Sequence, residues 1–171
     1  LPGVAVVVPV YNGEHTVGRC IQSLLRQTYP QERMQILVVD NNSTDGTRAV
    51  VQQYPVQLLS ETVQTSYAAR NGGIAASVAP IVAFIDADCV AQPDWLQELV
   101  QPFNDHRVGV TGGRILSQPA DTGLVETFLA QVKVTRSQTY QRAEPKGFPA
   151  GNVAYRRSAL DRVGPFDKAM P

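Results

Sequence analysis

Asp86 and Asp88 stand one residue apart at the end of an apolar run, Ile81-Val82-Ala83-Phe84-Ile85. Alternate residues of a strand point to the same side, so both carboxylates can converge on one point. Without a counter-charge they repel, and one pKa rises. A divalent cation removes that conflict. Mg2+ and Mn2+ prefer oxygen ligands, and such sites commonly use one or two carboxylates plus substrate phosphates. The competing reading is a solvated strand end, and the spelling alone leaves both open.

Asp40 closes a second buried run, Ile36 to Val39, and opens "DNNSTDGT". It could accept hydrogen bonds from a nucleobase N–H or from ribose hydroxyls, or it could cap a turn. Tyr11 offers a ring to stack on a base or to pack within its loop. Arg70 could reach a base or a phosphate, with Asn71 donating hydrogen bonds, or it could lie on a solvated helix face. His15 and His106 lack metal-ligand spacing and read as solvated. Cys20 and Cys89 read as reduced, partly buried thiols, and two thiols alone make no zinc site.

These residues need a scaffold. Val4 to Val8 is a Val/Ala run closed by Pro9 and reads as a buried strand. Glu14 to Gln27 places Val17, Ile21, Leu24 and Leu25 on one helical face. Ile36 to Val39 is a second strand, with Ser43 or Thr44 as cap of a helix running to Tyr54. Val56 to Leu59 reads as a strand, Tyr67 to Ser77 as a helix despite Gly72 and Gly73, and Ile81 to Ile85 as a fourth strand. Pro93 opens a helix carrying Trp95, Leu96, Leu99, Val100 and Phe103. Val108 to Leu116 reads as one strand, Leu124 to Val134 as a helix, and Ser158 to Val163 as a short helix stopped by Gly164-Pro165. The alternation predicts an α/β fold with a largely parallel sheet, in which ligands bind beyond the carboxyl ends of the strands. Three strands end there in polar clusters: "PVYNGE", "DNNSTDGT" and "DADC".

Length and composition set outer bounds. The 171 residues fit one domain with a sizeable core. At 43% hydrophobic and 18% charged, the composition is that of a globular protein. Lys plus Arg and Asp plus Glu both total 15, which gives no support for nucleic acid as a partner. No run approaches the roughly 18 apolar residues of a transmembrane helix, and the start, Leu-Pro-Gly-Val, is not a signal peptide. The dinucleotide fingerprint, the phosphate-binding P-loop and the G-x-S-x-G elbow are all absent.

The segments "VVVPVYNGEHTVGRCIQSLLRQTYP", "ILVVDNNSTDGTRAVV", "AARNGGIAAS", "FIDADCV" and "FPAGNVAYRRSALDRVGPFD" occur in that order. In this combination the whole chain resembles the nucleotide-binding part of a family 2 glycosyltransferase. That resemblance implies a GT-A-type, Rossmann-like α/β/α sandwich with a mainly parallel central sheet. It implies a nucleotide-diphospho-sugar donor, Mn2+ or Mg2+, and an inverting transfer to a saccharide or lipid-linked saccharide, as in polysaccharide biosynthesis. A uridine donor is expected on family frequency. The resemblance implies that Pro9, Val10, Tyr11, Asn12 and Glu14 line the nucleotide pocket, with Val10 and Tyr11 at the base. Asp40 contacts the base with Asn42 nearby, and Arg70 reaches the nucleotide. Asp86 lies near ribose and metal beside Ala87, and Asp88 ligates the metal. Gly151 and Asn152 sit near the donor sugar and acceptor.

The match runs out at the general base. In the family this is an Asp in an acidic pair downstream of G-x-F-D. Here Gly164-Pro165-Phe166-Asp167 is followed by Lys168, and the chain ends at Pro171 before any such pair. The expectation is a cut piece of a longer protein with the base beyond Pro171; Asp167, the nearest carboxylate, is the lesser candidate for that base and otherwise a turn or cap residue. Such a piece binds donor nucleotide and transfers sugar poorly or not at all. The resemblance implies a cytoplasmic setting, at the inner membrane face where a longer parent is membrane-associated. Two other readings compete: a nucleotide-sugar-binding module without catalysis, and a nucleotidyltransferase, for which "PVYNGE" lacks the Gly-rich basic loop.

Overall fold

A computed structural model describes residues 1–117, 130–133 and 149–167. Strand β1 (Val4–Val10) shows how the sequence builds the centre of the fold. Val4, Val6 and Val8 enter one apolar cluster, while Ala5 and Val7 enter another. A strand buried on both faces needs apolar residues at both parities, which is why β1 reads as a continuous run and not as an alternation. β2 (Met34–Asp40) and β4 (Ile81–Ile85) do the same: Val38 and Ala83 face one cluster, Val39 and Phe84 the other.

Helices cover both faces. The first cluster takes α1 (Val17–Leu25), α2 (Thr47–Val51) and α4 (Trp95–Val100). The second takes α3 (Ser66–Ala75) and α5 (Arg157–Val163). Gly73 lets α3 lie close on β1, because a Cβ there would run into the Val7 side chain. With β3 (Gln57–Ser60), β6 (Val110–Gly112) and β9 (Asn152–Arg156), the main sheet has the order β3-β2-β1-β4-β9-β6. Its first four strands are parallel, and β9 runs antiparallel to β4 and β6. A second sheet has the order β5-β8-β7, from β5 (Cys89–Ala91), β7 (Arg114–Ser117) and β8 (Ala130–Lys133). The α/β class with a mainly parallel central sheet is as expected.

Several elements differ from the sequence reading. Residues 130–133, expected within a helix, form β8, because β5 pairs with them on one side and β7 on the other; pairing of that kind outweighs single-residue propensity. The rest of that expected helix, 124–129 and 134, lies outside the described residues, as do 168–171. The single strand expected over 108–116 is two strands in two sheets, split at Gly113, whose N–H donates to the Asn152 carbonyl at 3.1 Å. Gly46, not Ser43 or Thr44, precedes α2. Pro93 lies outside α4, and its carbonyl accepts from Thr28 N–H at 2.8 Å. The short β5 and β9 carry no run of their own that marks them.

Candidate functional site

The parallel strands β1, β2 and β4 bring the three polar clusters to one edge of the sheet. A cleft of about 770 Å3 opens there. Of the residues expected at a site, Pro9, Val10, Tyr11, Asn12, Arg70, Asp86, Ala87 and Asp88 line it. Glu14, Asp40, Asn42, Gly151 and Asn152 do not. Asn41, Gln64, Thr65, Ser66 and Ala69 line it as well. Sequence reading passed over these: Asn41 is overshadowed by the carboxylate before it, and "QTS" is ordinary loop chemistry until α3 is placed.

Tyr11 is half exposed at the cleft wall. Its loop is laced to the loop after β2. Asn12 N–H donates to Ser43 Oγ at 2.9 Å, and Asn12 Oδ1 accepts from Thr44 N–H at 2.9 Å. Gly13 N–H donates to Thr47 Oγ1 at 2.8 Å, and Glu14 Oε2 accepts from Gly46 N–H at 2.7 Å. Asn12 and Asn42 both take the left-handed backbone, with φ of 47° and 69°, a conformation Asn tolerates better than most residues. Asn12 and Glu14 are thus loop braces, and exposed Asn42 turns the chain.

Asp40 is 2% exposed and already engaged. Its Oδ2 accepts from Arg48 Nη1 at 2.8 Å, and its Oδ1 from Ser43 N–H at 3.2 Å. Asn41, next along, is on the cleft wall. Its Nδ2 donates to the carbonyls of Val63 at 2.7 Å and Glu61 at 3.3 Å. Both amide hydrogens are spent on the loop before α3, so Oδ1 is left as the acceptor.

Asp86 and Asp88 sit at the other end. Arg70 is 5% exposed, and its Nη2 donates to Asp86 Oδ1 at 2.7 Å, while its buried Nε has no partner. Burial pushes the Asp86 carboxyl above the usual carboxylate range; the Arg70 guanidinium opposes the rise and the Asp88 charge adds to it. Asp88 is exposed, and its Oδ1 accepts from the Cys89 thiol at 3.6 Å. Burial pushes Cys89 up to about 12 and Cys20 higher, so both free thiols stay protonated and unreactive at neutral pH. Gly151 presses on Asp86, since any Cβ at 151 would meet the carboxylate. Asn152 is fully buried, and its Oδ1 accepts from Trp95 Nε1 at 2.9 Å. Its place is behind the site.

Among the described residues no group of three or more His, Cys, Asp or Glu forms a metal cage. Two carboxylates leave most of a coordination shell to phosphate oxygens and water, and that donor set fits Mg2+ or Mn2+ bound together with a diphosphate.

The model of the glycosyl transferase family 2 matches residues 5–164. The glycosyltransferase AglE of Haloferax volcanii is 31% identical over 97% of this chain, which spans 56% of that protein. A solved mannosyltransferase from Pyrobaculum calidifontis, in complex with GDP-Man and Mn2+, superposes with a TM-score of 0.76 at 24% identity, covering 99% of this chain and 48% of its own. The Staphylococcus aureus TarS structure with UDP gives 0.72 at 19% identity, over 97% of this chain and 50% of that one. The chain thus spans about half the length of such relatives. On the family match over most of its length, this chain belongs to glycosyl transferase family 2.

Proposed function

We propose that this chain forms the donor-binding part of a glycosyltransferase that moves a sugar, with inversion, from a nucleotide-diphospho-sugar to a hydroxyl of a saccharide or lipid-linked saccharide, in polysaccharide biosynthesis. The observation that carries the reading is one cleft holding an aromatic ring, an acceptor amide, a guanidinium and two carboxylates. Tyr11 stacks on the base. Asn41 takes over the base contact expected of Asp40, because Asn41 lines the cleft while Asp40 does not and is held by Arg48 and Ser43. An acceptor oxygen suits N3–H of uracil and N1–H of guanine alike. The solved relatives carry GDP-Man in one case and UDP in another. We put a UDP-sugar first and a GDP-sugar second.

Arg70 holds Asp86 in place through Nη2. Asp86 and Asp88 would hold a divalent cation with the diphosphate. Bound there, Mn2+ or Mg2+ supplies Lewis-acid stabilisation of the charge that builds on the leaving group. The bond from the anomeric carbon to the diphosphate breaks, and the nucleoside diphosphate departs with the electron pair. The acceptor oxygen bonds to the opposite face of that carbon, and its proton goes to a general base there. The two free, buried thiols suit a reducing compartment. We therefore place the reaction in the cytoplasm, at the inner membrane face where the acceptor is lipid-linked. No helix among the described residues is long and apolar enough to cross a membrane.

The test is thermal unfolding with UDP or GDP, with and without Mn2+. A nucleotide at a hundred times its Kd stabilises by about 2.7 kcal/mol. Asp88→Ala should keep the unliganded melting temperature, because Asp88 is exposed, and should lose the Mn2+-dependent part of the shift. Absence of a metal-dependent shift with either nucleotide would sink the reading.

A further inference from the structure

Arg70 and Asn71 are neighbours on α3, and each grips a different part of the chain. Arg70 donates to Asp86 at 2.7 Å. Asn71 grips the backbone of Phe166 twice: its Nδ2 donates to the Phe166 carbonyl at 2.8 Å, and its Oδ1 accepts from Phe166 N–H at 2.9 Å. The Phe166 ring is held too. Its centroid lies 5.8 Å from that of Phe84, 6.0 Å from Tyr155 and 6.0 Å from Tyr67. Phe84 is on β4, two residues before Asp86.

The path of the chain explains what this grip achieves. β9 leaves the cleft edge at Asn152, which pairs with Ile85, and reaches the far edge at Arg156, which pairs with Ile81. There Arg157 is fastened to the end of α3 and the loop after it: Nη1 donates to the Ile74 carbonyl and Nε to the Ala79 carbonyl, both at 3.1 Å. α5 follows, stops at Gly164 (φ 91°), and the chain then brings Phe166 to Asn71. The turn 164–167 therefore returns to the part of α3 that meets Asp86. Two bonds to the N–H and the carbonyl of one residue hold the peptide planes on both sides of its Cα, which a packed ring alone does not do.

We propose that Asn71 is a positioning residue for sugar transfer: it locks the Gly164–Asp167 turn beside the Asp86 end of the donor cleft, where an acceptor approaches. This rests on the donor-cleft reading above. Asn71 is not among the residues lining the nucleotide cleft, so its loss should leave nucleotide binding alone and be felt in transfer.

The experiment uses the full-length protein that carries this chain, with Asn71→Ala and Asn71→Asp. Asp keeps the bond from Phe166 N–H and sets a carboxylate against the Phe166 carbonyl. Phe166→Leu serves as a second variant that loosens the ring while leaving the amide grip. Three quantities are read: Kd for UDP or GDP with Mn2+, kcat, and the KM for acceptor. The expected result for both Asn71 variants is a nucleotide Kd within about twofold of wild type and a fall in kcat over acceptor KM of about tenfold to a hundredfold. Phe166→Leu should fall between them and wild type. If nucleotide Kd and transfer weaken together, or if neither changes, the positioning role is wrong. If an Asn71 variant fails to fold, Phe166→Leu decides on the same split. A wild type that binds no nucleotide defeats the donor-cleft reading itself, a different outcome from any of these.

Discussion

Arg70 shows how one side chain makes an awkward carboxylate tenable. Its guanidinium side chain is 6% exposed, while that of Asp86 is 37% exposed and sits against Gly151, where a side chain could not fit. Burial raises the Asp86 pKa, Arg70 counters it, and Asp88 adds to it. Removing Arg70 therefore raises the Asp86 pKa further. A carboxyl whose folded pKa is raised contributes its stability below the unfolded value of about 3.9, and that stability is lost as pH rises through the folded value. Arg70→Met should thus cost least near the bottom of that range and most at neutral pH. A charged hydrogen bond is worth about 1.5–3 kcal/mol, and solvent at Asp86 lowers this to about 1–2 kcal/mol. Melting temperatures of both proteins from acid to neutral pH check this. A gap that narrows as pH rises would contradict it. The sequence showed both partners but not the pair, since sixteen positions separate them and a helix face predicts solvent for an arginine.

At the scale of elements, the laced loops after β1 and β2 form the floor on which Tyr11 stands. Thr47 is fully buried; it accepts from Gly13 N–H at 2.8 Å, and its hydroxyl donates to Asp45. Valine has the same shape and neither function. Thr47→Val should leave the Gly13 N–H unpaired and cost about 1–3 kcal/mol. In urea the midpoint should fall with the slope unchanged, and nucleotide affinity should fall with it as the Tyr11 loop loosens. Unchanged affinity alongside lost stability would show that the lacing supports the fold alone. These loops explain which parts of the site were legible. β1, β2 and β4 announce themselves by apolar runs, so the edge where they end could be placed from sequence. Which of two adjacent polar residues faces the cleft could not, because that depends on partners far away in sequence. Arg48 reaches across from α2 to take Asp40, and the carbonyls of Glu61 and Val63 orient Asn41. Likewise β8 is a strand only because β5 and β7 flank it.

At the scale of the molecule, the two apolar clusters share β1, β2 and β4, and each strand contributes to both. Neither can be lost without exposing the back of the other, so the described body should unfold as one unit. β9 is the late arrival in this sheet, inserted between β4 and β6 from far along the chain. Its first residue, Asn152, is fully buried and accepts from the indole of Trp95 at 2.9 Å, on α4, 57 positions earlier in the chain. Asn152→Ala strands that indole N–H and leaves a small void. An unpaired buried donor costs about 1–3 kcal/mol, and the void adds to it. Trp95 is the one tryptophan in the sequence, so its fluorescence reports this junction directly. Expected is a lower midpoint for Asn152→Ala, with fluorescence and far-ultraviolet circular dichroism still coincident. An earlier fluorescence transition would mean that β9 and α4 detach while β1, β2 and β4 stay folded. Asn152 would then govern a local opening behind Asp86, and not the stability of the whole.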